Sequence, residues 1–292
     1  RLCDLRSFAF RFKPSIHRQI IRLASGPGRG DAPRMKFAVL GSGSQGNAAV
    51  VDCAGARLLI DAGLSAEQLT LRLQAVGIPP DSLHGILLTH EHGDHVRGLR
   101  VFLKQHPVPV YATRDTARIV REGGVEHRHW KVFESGRTFA IGAAEIDPFA
   151  TQHDAVDPVG FVVRHTGKSL GLLSDAGHVT RSITEKLHKL DGLFVEANYD
   201  EDLLEADVKR PWSIKQRISS RHGHLSNTQV MDLVSAIIHP ELSHVVLGHL
   251  SSDCNCPDLA LRLLRNCLKS CGTIGVAVHC ASQEKPTGWF AL

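Results

Sequence analysis

An apolar strand that runs straight into a crowd of imidazoles leaves a chain few ways to fold. Gly85 to Leu88 reads as a buried strand and continues without a break into Thr89-His90-Glu91-His92-Gly93-Asp94-His95. Side chains alternate along extended backbone, so His90 and His92 project to one side. Gly93 then lets the chain turn sharply and brings Asp94 and His95 back to the same point. Three imidazoles and a carboxylate within six residues make a nitrogen and oxygen ligand set suited to Zn(II), Mn(II) or Fe(II). A polar loop of merely solvated histidines is the competing reading, and the buried strand in front of the cluster weighs against it. The chain holds 18 His against 11 Phe, 3 Trp and 2 Tyr, an excess of imidazole that points to metal ligation or proton transfer.

Around that cluster the text alternates strands and helices. Phe37 to Leu40 is an apolar run ending in the glycine-rich stretch Gly41 to Asn47, and Ala48 to Cys53 with Arg57 to Ile60 reads as a hairpin. Ser65 with Gln68, and Ser226 with Gln229, are capping-box pairs that open helices, the first stopping at Gly77 and the second reaching His239. Val108 to Ala112 is a strand and Asp115 to Glu122 a helix. Val132 to Leu173 is β-rich, with Phe161 to Val163 and Leu170 to Leu173 as its clearest strands. A helix near Ser182 to Leu190, strands at Leu193 to Glu196 and His244 to Gly248, a helix from Pro257 to about Lys269 and a last strand at Thr273 to His279 complete the pattern. Strands and helices interspersed without a strong break after residue 34 predict a single α/β domain over 35–292.

Charge is distributed unevenly. Residues 1–34 carry eight Arg or Lys against two Asp, a surplus of six in a chain of net charge +4, which leaves −2 for the rest. The leader has no apolar segment of the secretory kind, and residues 1–34 are expected to be disordered or non-native upstream sequence. No stretch approaches 18 uncharged apolar residues, so no membrane span is expected. Seven Cys over 292 residues are too sparse for a secreted disulfide framework, and reduced thiols in a cytoplasmic protein fit better.

The run His-x-His-x-Asp-His resembles the signature of the metallo-β-lactamase fold hydrolases, and further motifs extend the likeness over nearly all of residues 35–292. Gly41 to Asn47, Leu58 to Gly63, Asp157 to Phe161, Ser174 to His178, Arg221 to Asn227 and Leu247 to Ser251, in that order, resemble the YycJ/WalJ family, which is regarded as a family of metal-dependent DNA exonucleases. The resemblance implies an αββα four-layer sandwich and a site for two divalent metal ions, Zn or Mn. It implies seven metal ligands: His90, His92, Asp94, His95, His153, Asp175 and His249. His153 would complete a three-histidine site with His90 and His92, Asp175 would bridge the two metals, and His249 would join Asp94 and His95 at the second. Asp61 stands where the fold has a loop-bracing aspartate and is not expected to be a ligand.

Two cations sharing a carboxylate suit displacement at phosphorus, because they acidify water and flank both the attacking and the leaving oxygen. Asp94 is expected to orient the attacking water or take up its proton. His224, just before the Ser226 cap of a helix whose amides favour a phosphate, is the candidate general acid, with His222 as second choice. Lys209, Arg210, Arg217 and Arg221, with Lys215, supply five cations and no acid around Trp212, which suits phosphate contacts and base stacking by nucleic acid, with DNA as the expected partner. Only 21 residues separate His153 from Asp175 and 73 separate Asp175 from His249, too few for a long arm or a cap domain, so an open cleft is expected. The reading is a 5′-to-3′ DNA exonuclease. A hydrolase of a small thioester, lactone or phosphodiester with the same site is the alternative, as is a metal-binding regulatory protein with vestigial activity. Tyr199, where the family has a histidine, and the pair Cys254 and Cys256, expected to be free thiols, depart from the family pattern.

Overall fold

The structure, a computed structural model, describes residues 35–273 and 275–292. The basic leader therefore lies outside the described residues. The strands run, in chain order, as β1 (Met35–Gly41), β2 (Ala48–Cys53), β3 (Ala56–Ile60), β4 (Gly85–Leu87), β5 (Val110–Thr113), β6 (Trp130–Phe133) and β7 (Phe139–Ile141). They continue as β8 (Ala144–Ala150), β9 (Val159–His165), β10 (Lys168–Leu173), β11 (Gly192–Glu196), β12 (His244–Gly248), β13 (Ala277–Cys280) and β14 (Phe290–Ala291). The helices are α1 (Ala66–Ala75), α2 (Gly93–Val96), α3 (Leu99–Gln105), α4 (Arg114–Glu122), α5 (Arg181–Lys186), α6 (Glu201–Ala206), α7 (Trp212–Ile218), α8 (Asn227–Ile237) and α9 (Pro257–Ser270).

Among the described residues the strands form two sheets, ordered β14-β1-β2-β3-β4-β5-β6 and β13-β12-β11-β10-β9-β8-β7. Each is mixed: β3 to β6 pair in parallel, as do β10 to β13, while hairpin neighbours such as β1 and β2 or β8 and β9 pair antiparallel. The strands read as continuous apolar runs because both faces of each sheet are covered. Phe37, Val39, Val51, Leu58 and Ile60 meet Phe161, Val163, Leu170 and Leu172 between the sheets. Their alternating neighbours Ala38, Leu40, Val50 and Leu59 pack instead with Leu69 and Leu73 of α1 and Phe102 of α3. On the outer face of the second sheet Val162, Leu173, Leu193 and Val195 pack with Val230 and Leu233 of α8 and Leu264 of α9. Side-chain alternation thus sorts one set of strands into three apolar layers, and the result is a four-layer αββα sandwich.

Helix boundaries follow local chemistry. The Ser226 hydroxyl accepts from Gln229 N while the Gln229 side chain accepts from Ser226 N, a complete capping box. Ser65 makes only half of one, because the Gln68 carbonyl oxygen accepts from Arg72 Nε instead. The helix expected to reach Leu190 ends at Lys186, the strand expected from Thr273 starts at Ala277, two residues beyond Gly275, which has a positive φ of 110°, and a further short strand, β14, follows it. Residues 212–218, read in the sequence as part of a basic loop, form the short helix α7 behind Pro211.

The fold gathers functional groups where strands end. Six segments lead off the carboxyl ends of β3, β4, β8, β10, β11 and β12 and carry Asp61, His90 to His95, His153, Asp175, Glu196 and His249. Asp61, Asp175 and His249 all sit in the left-handed region, with φ of 59°, 53° and 51°. Non-glycine residues visit that region rarely and at some cost. Three such kinks just past three strands turn side chains inward that continued strand would have sent outward or into the core. Gly63 lets two of these loops touch: a Cβ there would lie 1.6 Å from the Asp94 carbonyl oxygen.

Candidate metal centre

The side chains expected from sequence to be ligands converge. Donor atoms of His90, His92 and His153 lie within 4.8 Å of one another, and so do those of Asp94, His95 and His249. Asp175 stands between the two groups. Its Oδ2 is 2.6 Å from His95 Nε2 and 3.7 Å from His90 Nε2, and its Oδ1 is 2.6 Å from His249 Nδ1. His92 Nδ1 and His153 Nε2 approach to 3.2 Å. Gly93 serves differently from the sequence expectation: it opens α2 with His92 at the N-cap, so a helical turn rather than a tight loop returns Asp94 and His95 to the cluster.

The far nitrogens of several imidazoles are tied down, which orients the near ones. His153 Nδ1 donates to the Gly223 carbonyl over 2.8 Å, and His95 Nδ1 donates to Asp61 Oδ2 over 2.7 Å. Both acceptors can only accept, so each ring carries its proton on Nδ1 and leaves Nε2 for the cluster. Asp61 also accepts from Thr89 N and Thr89 Oγ1, at 2.8 and 2.9 Å, which locks the start of the histidine run. Asn47 Nδ2 donates to Asp94 Oδ2, and Asn198 Nδ2 holds the carbonyl of His249. Such outer contacts raise ligand basicity and fix ring orientation.

These donors fit divalent cations. His90 Nε2 is buried among the other imidazoles, points at Asp175 and has no hydrogen-bond partner. An orphaned buried nitrogen costs about 1–3 kcal/mol, and a cation shared with His92 and His153 would satisfy it. Nitrogen and carboxylate donors in two groups with one carboxylate between them make a dinuclear arrangement, and they suit Zn and Mn alike.

Protons occupy the role of cations in the metal-free chain. Burial pushes the imidazoles of His95 and His249 down, but Asp175, with Asp61 beside the first and Asp94 beside the second, outweighs it and raises both well above the usual histidine range. Burial pushes Asp175 and Asp94 up, and the histidines outweigh it and hold both carboxyls below their usual range. A raised imidazole stabilises the fold fully below its unfolded value of about 6.5 and loses that contribution as pH climbs through its folded value. A depressed carboxyl contributes above about pH 4 and loses it as pH falls. Metal-free protein is therefore expected to lose stability as pH rises from about 6.5, where metal binding, which needs neutral imidazole, strengthens. The rise in Tm on adding Zn or Mn to chelated protein should grow between pH 6 and pH 9. A rise independent of pH would contradict this account.

One residue that the sequence reading left as the end of a strand belongs to the site. Glu196 is fully buried and accepts from Ala176 N at 2.6 Å, from Leu225 N at 3.2 Å and from His224 Nδ1 at 3.0 Å. Its signal was an acid ending the apolar run Gly192 to Val195, where a lone charge needs partners. Burial pushes His224 down, but Glu196 and then Asp175, 3.1 Å away, raise it to about 9.

A cleft of about 270 Å³ opens over the cluster, lined by His92, Asp94, His153, Asp175, His224 and His249, with Arg210, Arg217, Ser251 and Ser252 at other walls. His222 is exposed and is not part of this lining. The basic stretch differs from its sequence reading, which found no acid nearby. Lys209 pairs with Asp253, Arg210 with Asp207 and Asp253, and Arg217 with Asp154, so one acid just ahead of the stretch and two remote in sequence pair with three of its five cations. Arg221 lies outside the lining with its guanidinium against His178 Nε2. Trp212 is 68% exposed. Tyr199 is buried with Leu204 and Cys254 below the cleft, so it packs where an imidazole in the cleft was thought missing. Cys254 and Cys256 are free thiols.

Residues 56–249 match the family model described as the β-lactamase superfamily domain. Over 247 residues the chain is 34% identical to the exodeoxyribonuclease WalJ of Streptococcus pneumoniae, covering 83% of this chain and 91% of that protein. Over 258 residues it is 31% identical to the exodeoxyribonuclease YycJ of Bacillus anthracis, covering 87% and 97%. The metallo-β-lactamase fold protein YhfI of Bacillus subtilis superimposes with a TM-score of 0.66 at 18% identity, covering 87% of this chain and 99% of that one, a likeness of fold.

Proposed function

For a chain that belongs to the metallo-β-lactamase superfamily, and so is a metal-dependent hydrolase related to the WalJ and YycJ exodeoxyribonucleases, we propose a two-metal exonuclease that digests DNA from the 5′ end. The observation that carries the reading is Asp175, one carboxylate within reach of two separate ligand groups. In this reading His90, His92 and His153 would hold one cation, Asp94, His95 and His249 would hold the other, and Asp175 would serve both. Cations held there make water acidic and neutralise charge on the phosphate.

The remaining chemistry belongs to side chains. Asp94, kept ionised by His249 and His95, accepts a hydrogen bond from the attacking water and orients it. His224 donates a proton to the oxygen that leaves phosphorus. Its Nδ1 is engaged by Glu196, which leaves Nε2 as the donor in a residue that lines the cleft. Glu196 and Asp175 raise His224 to about 9 in the metal-free chain, the direction a general acid working at neutral pH requires. Arg210 and Arg217 line the same cleft, and exposed Trp212 beside them offers a face for a base. A cytoplasmic setting is part of the proposal and agrees with the unpaired thiols of the six described cysteines. No helix among the described residues is long and apolar enough to cross a membrane.

The test is digestion of oligonucleotides labelled at either end, as duplex DNA, single-stranded DNA and RNA, with thioester and lactone substrates alongside. Mononucleotide release first from the 5′ label of DNA is the expected result. Turnover of the small esters with all nucleic acid left intact would replace this reading by that of a small-ester hydrolase.

A further inference from the structure

A second cleft lies away from the metal centre, between α4 and the edge strand β6. It has a volume of about 910 Å³, and its lining sets Arg114, Arg118, Arg121 and Arg128 against Glu122 and Glu126, with Trp130 beside them. Arg114, Arg118 and Arg121 stand at i, i+4 and i+7 of α4, one exposed face, while Thr116, Ala117 and Val120 face the core. Arg118 is shared between Asp115 and Glu122. Arg114, Arg121 and Arg128 have no acidic partner among the described residues, in a body that carries a net −2 over residues 35–292. Two further polar atoms in this wall, Trp130 Nε1 and His127 Nε2, are sheltered and have no hydrogen-bond partner among the described residues. An indole N–H can only donate. The groove therefore offers unpaired cations beside an aromatic side chain.

The groove leads toward the metal centre. A neighbouring depression of about 640 Å³ shares Arg114 and Val132 with it and reaches Asp157. Thr113 Oγ1 donates to the Asp157 carbonyl at 3.3 Å, and Val156 N donates to Glu91 Oε1 at 2.8 Å, between His90 and His92. Asp157 is four residues from His153, a separation of at most about 14 Å along the chain.

We propose that this groove holds the phosphate backbone of the nucleic-acid substrate several nucleotides away from the end being cut. The proposal rests on the exonuclease reading above and adds to it a contact surface outside the cleft. In this reading a tetranucleotide held at the cut end, about 14 Å long at about 3.4 Å per nucleotide, ends short of the groove, whereas a long duplex reaches it.

The experiment measures binding of fluorescein-labelled DNA to full-length protein in chelator, where no digestion occurs, from 50 to 200 mM KCl. The variant R114E/R121E/R128E is compared with wild type on a 24-base-pair duplex and on a tetranucleotide. The variant R114Q/R121Q/R128Q serves if charge reversal impairs folding, judged by Tm. Each phosphate contact contributes about 0.9 to the slope of log Kd against log salt. Loss of at least tenfold in affinity for the duplex, a slope lower by about two to three and unchanged tetranucleotide binding are expected. An unchanged duplex affinity and slope in a folded variant overturns the proposal while leaving the exonuclease reading intact. Equal losses on duplex and tetranucleotide overturn it as well. Wild-type protein that neither binds nor digests nucleic acid overturns both.

Discussion

Asp175→Ala is expected to abolish hydrolysis of end-labelled DNA, a loss of at least about a thousandfold, or about 4 kcal/mol in the barrier. It should also lower bound metal below two ions per chain as counted by mass spectrometry. Asp175 is buried and alone reaches both ligand groups, touching His95 and His249 at 2.6 Å and facing His90 at 3.7 Å. Without it each group keeps three ligands, but no carboxylate joins them and Asp94 is the one carboxylate ligand left to offset the charge of adjacent cations. Asp175→Asn keeps the shape and lacks the charge, so it should lose nearly as much activity. Metal-free Asp175→Ala should still fold at pH 8, because His95 keeps Asp61, His249 keeps Asp94 and Glu196, and His224 keeps Glu196 as a carboxylate neighbour. At pH 6, where those imidazoles are charged in the wild type, its Tm should fall further below wild type than at pH 8. A variant that digests DNA as fast as wild type would trace the activity to a contaminating nuclease.

What the sequence made legible follows from whether the cause is local. The histidine run could be read because an apolar strand, period-two alternation and a glycine lie in one window. The Ser226 box was legible for the same reason. His153, Asp175 and His249 were legible only through family resemblance, since each alone is an ordinary strand-end residue. What unites them is the parallel register of β10, β11 and β12 and left-handed kinks at Asp175 and His249, neither of which is written nearby. Glu196 escaped because burial decides its role: exposed at a strand end it would be unremarked, and buried it must be paired. The stretch from Lys209 to Arg221 misled for the converse reason. Its composition is basic, but Asp154 and Asp253 reach it through space and Asp207 stands just ahead of it, and α7 was too short to show a periodicity.

Glu196 offers the sharper dissection, because two substitutions should separate its structural from its catalytic contribution. Both Ala176 N and Leu225 N donate to Oε1, while His224 Nδ1 and, at 3.4 Å, His249 Nδ1 face Oε2. Glu196→Ala strands these buried donors and is expected to cost about 3–5 kcal/mol, the scale for removing one partner from a buried charged network. In a chain of this size that lowers Tm by roughly 10 °C. Glu196→Gln keeps a carbonyl oxygen for the two amides and should retain most of that stability. It places an NH2 group against His224 Nδ1, however, and leaves Asp175, 3.1 Å away, as the one carboxylate beside that nitrogen. The imidazole loses the larger of the two carboxylate contributions that lift it to about 9. Glu196→Gln should therefore fold, bind metal and lose activity, with the alkaline limb of its pH–rate profile moved toward ordinary histidine values near 6.5. The sign is set by the charge: an anion beside His224 extends protonation of the acid upward in pH, and removing the anion withdraws it. If Glu196→Gln kept the wild-type limb, Glu196 would be a structural brace alone and the proton for the leaving oxygen would come from another group.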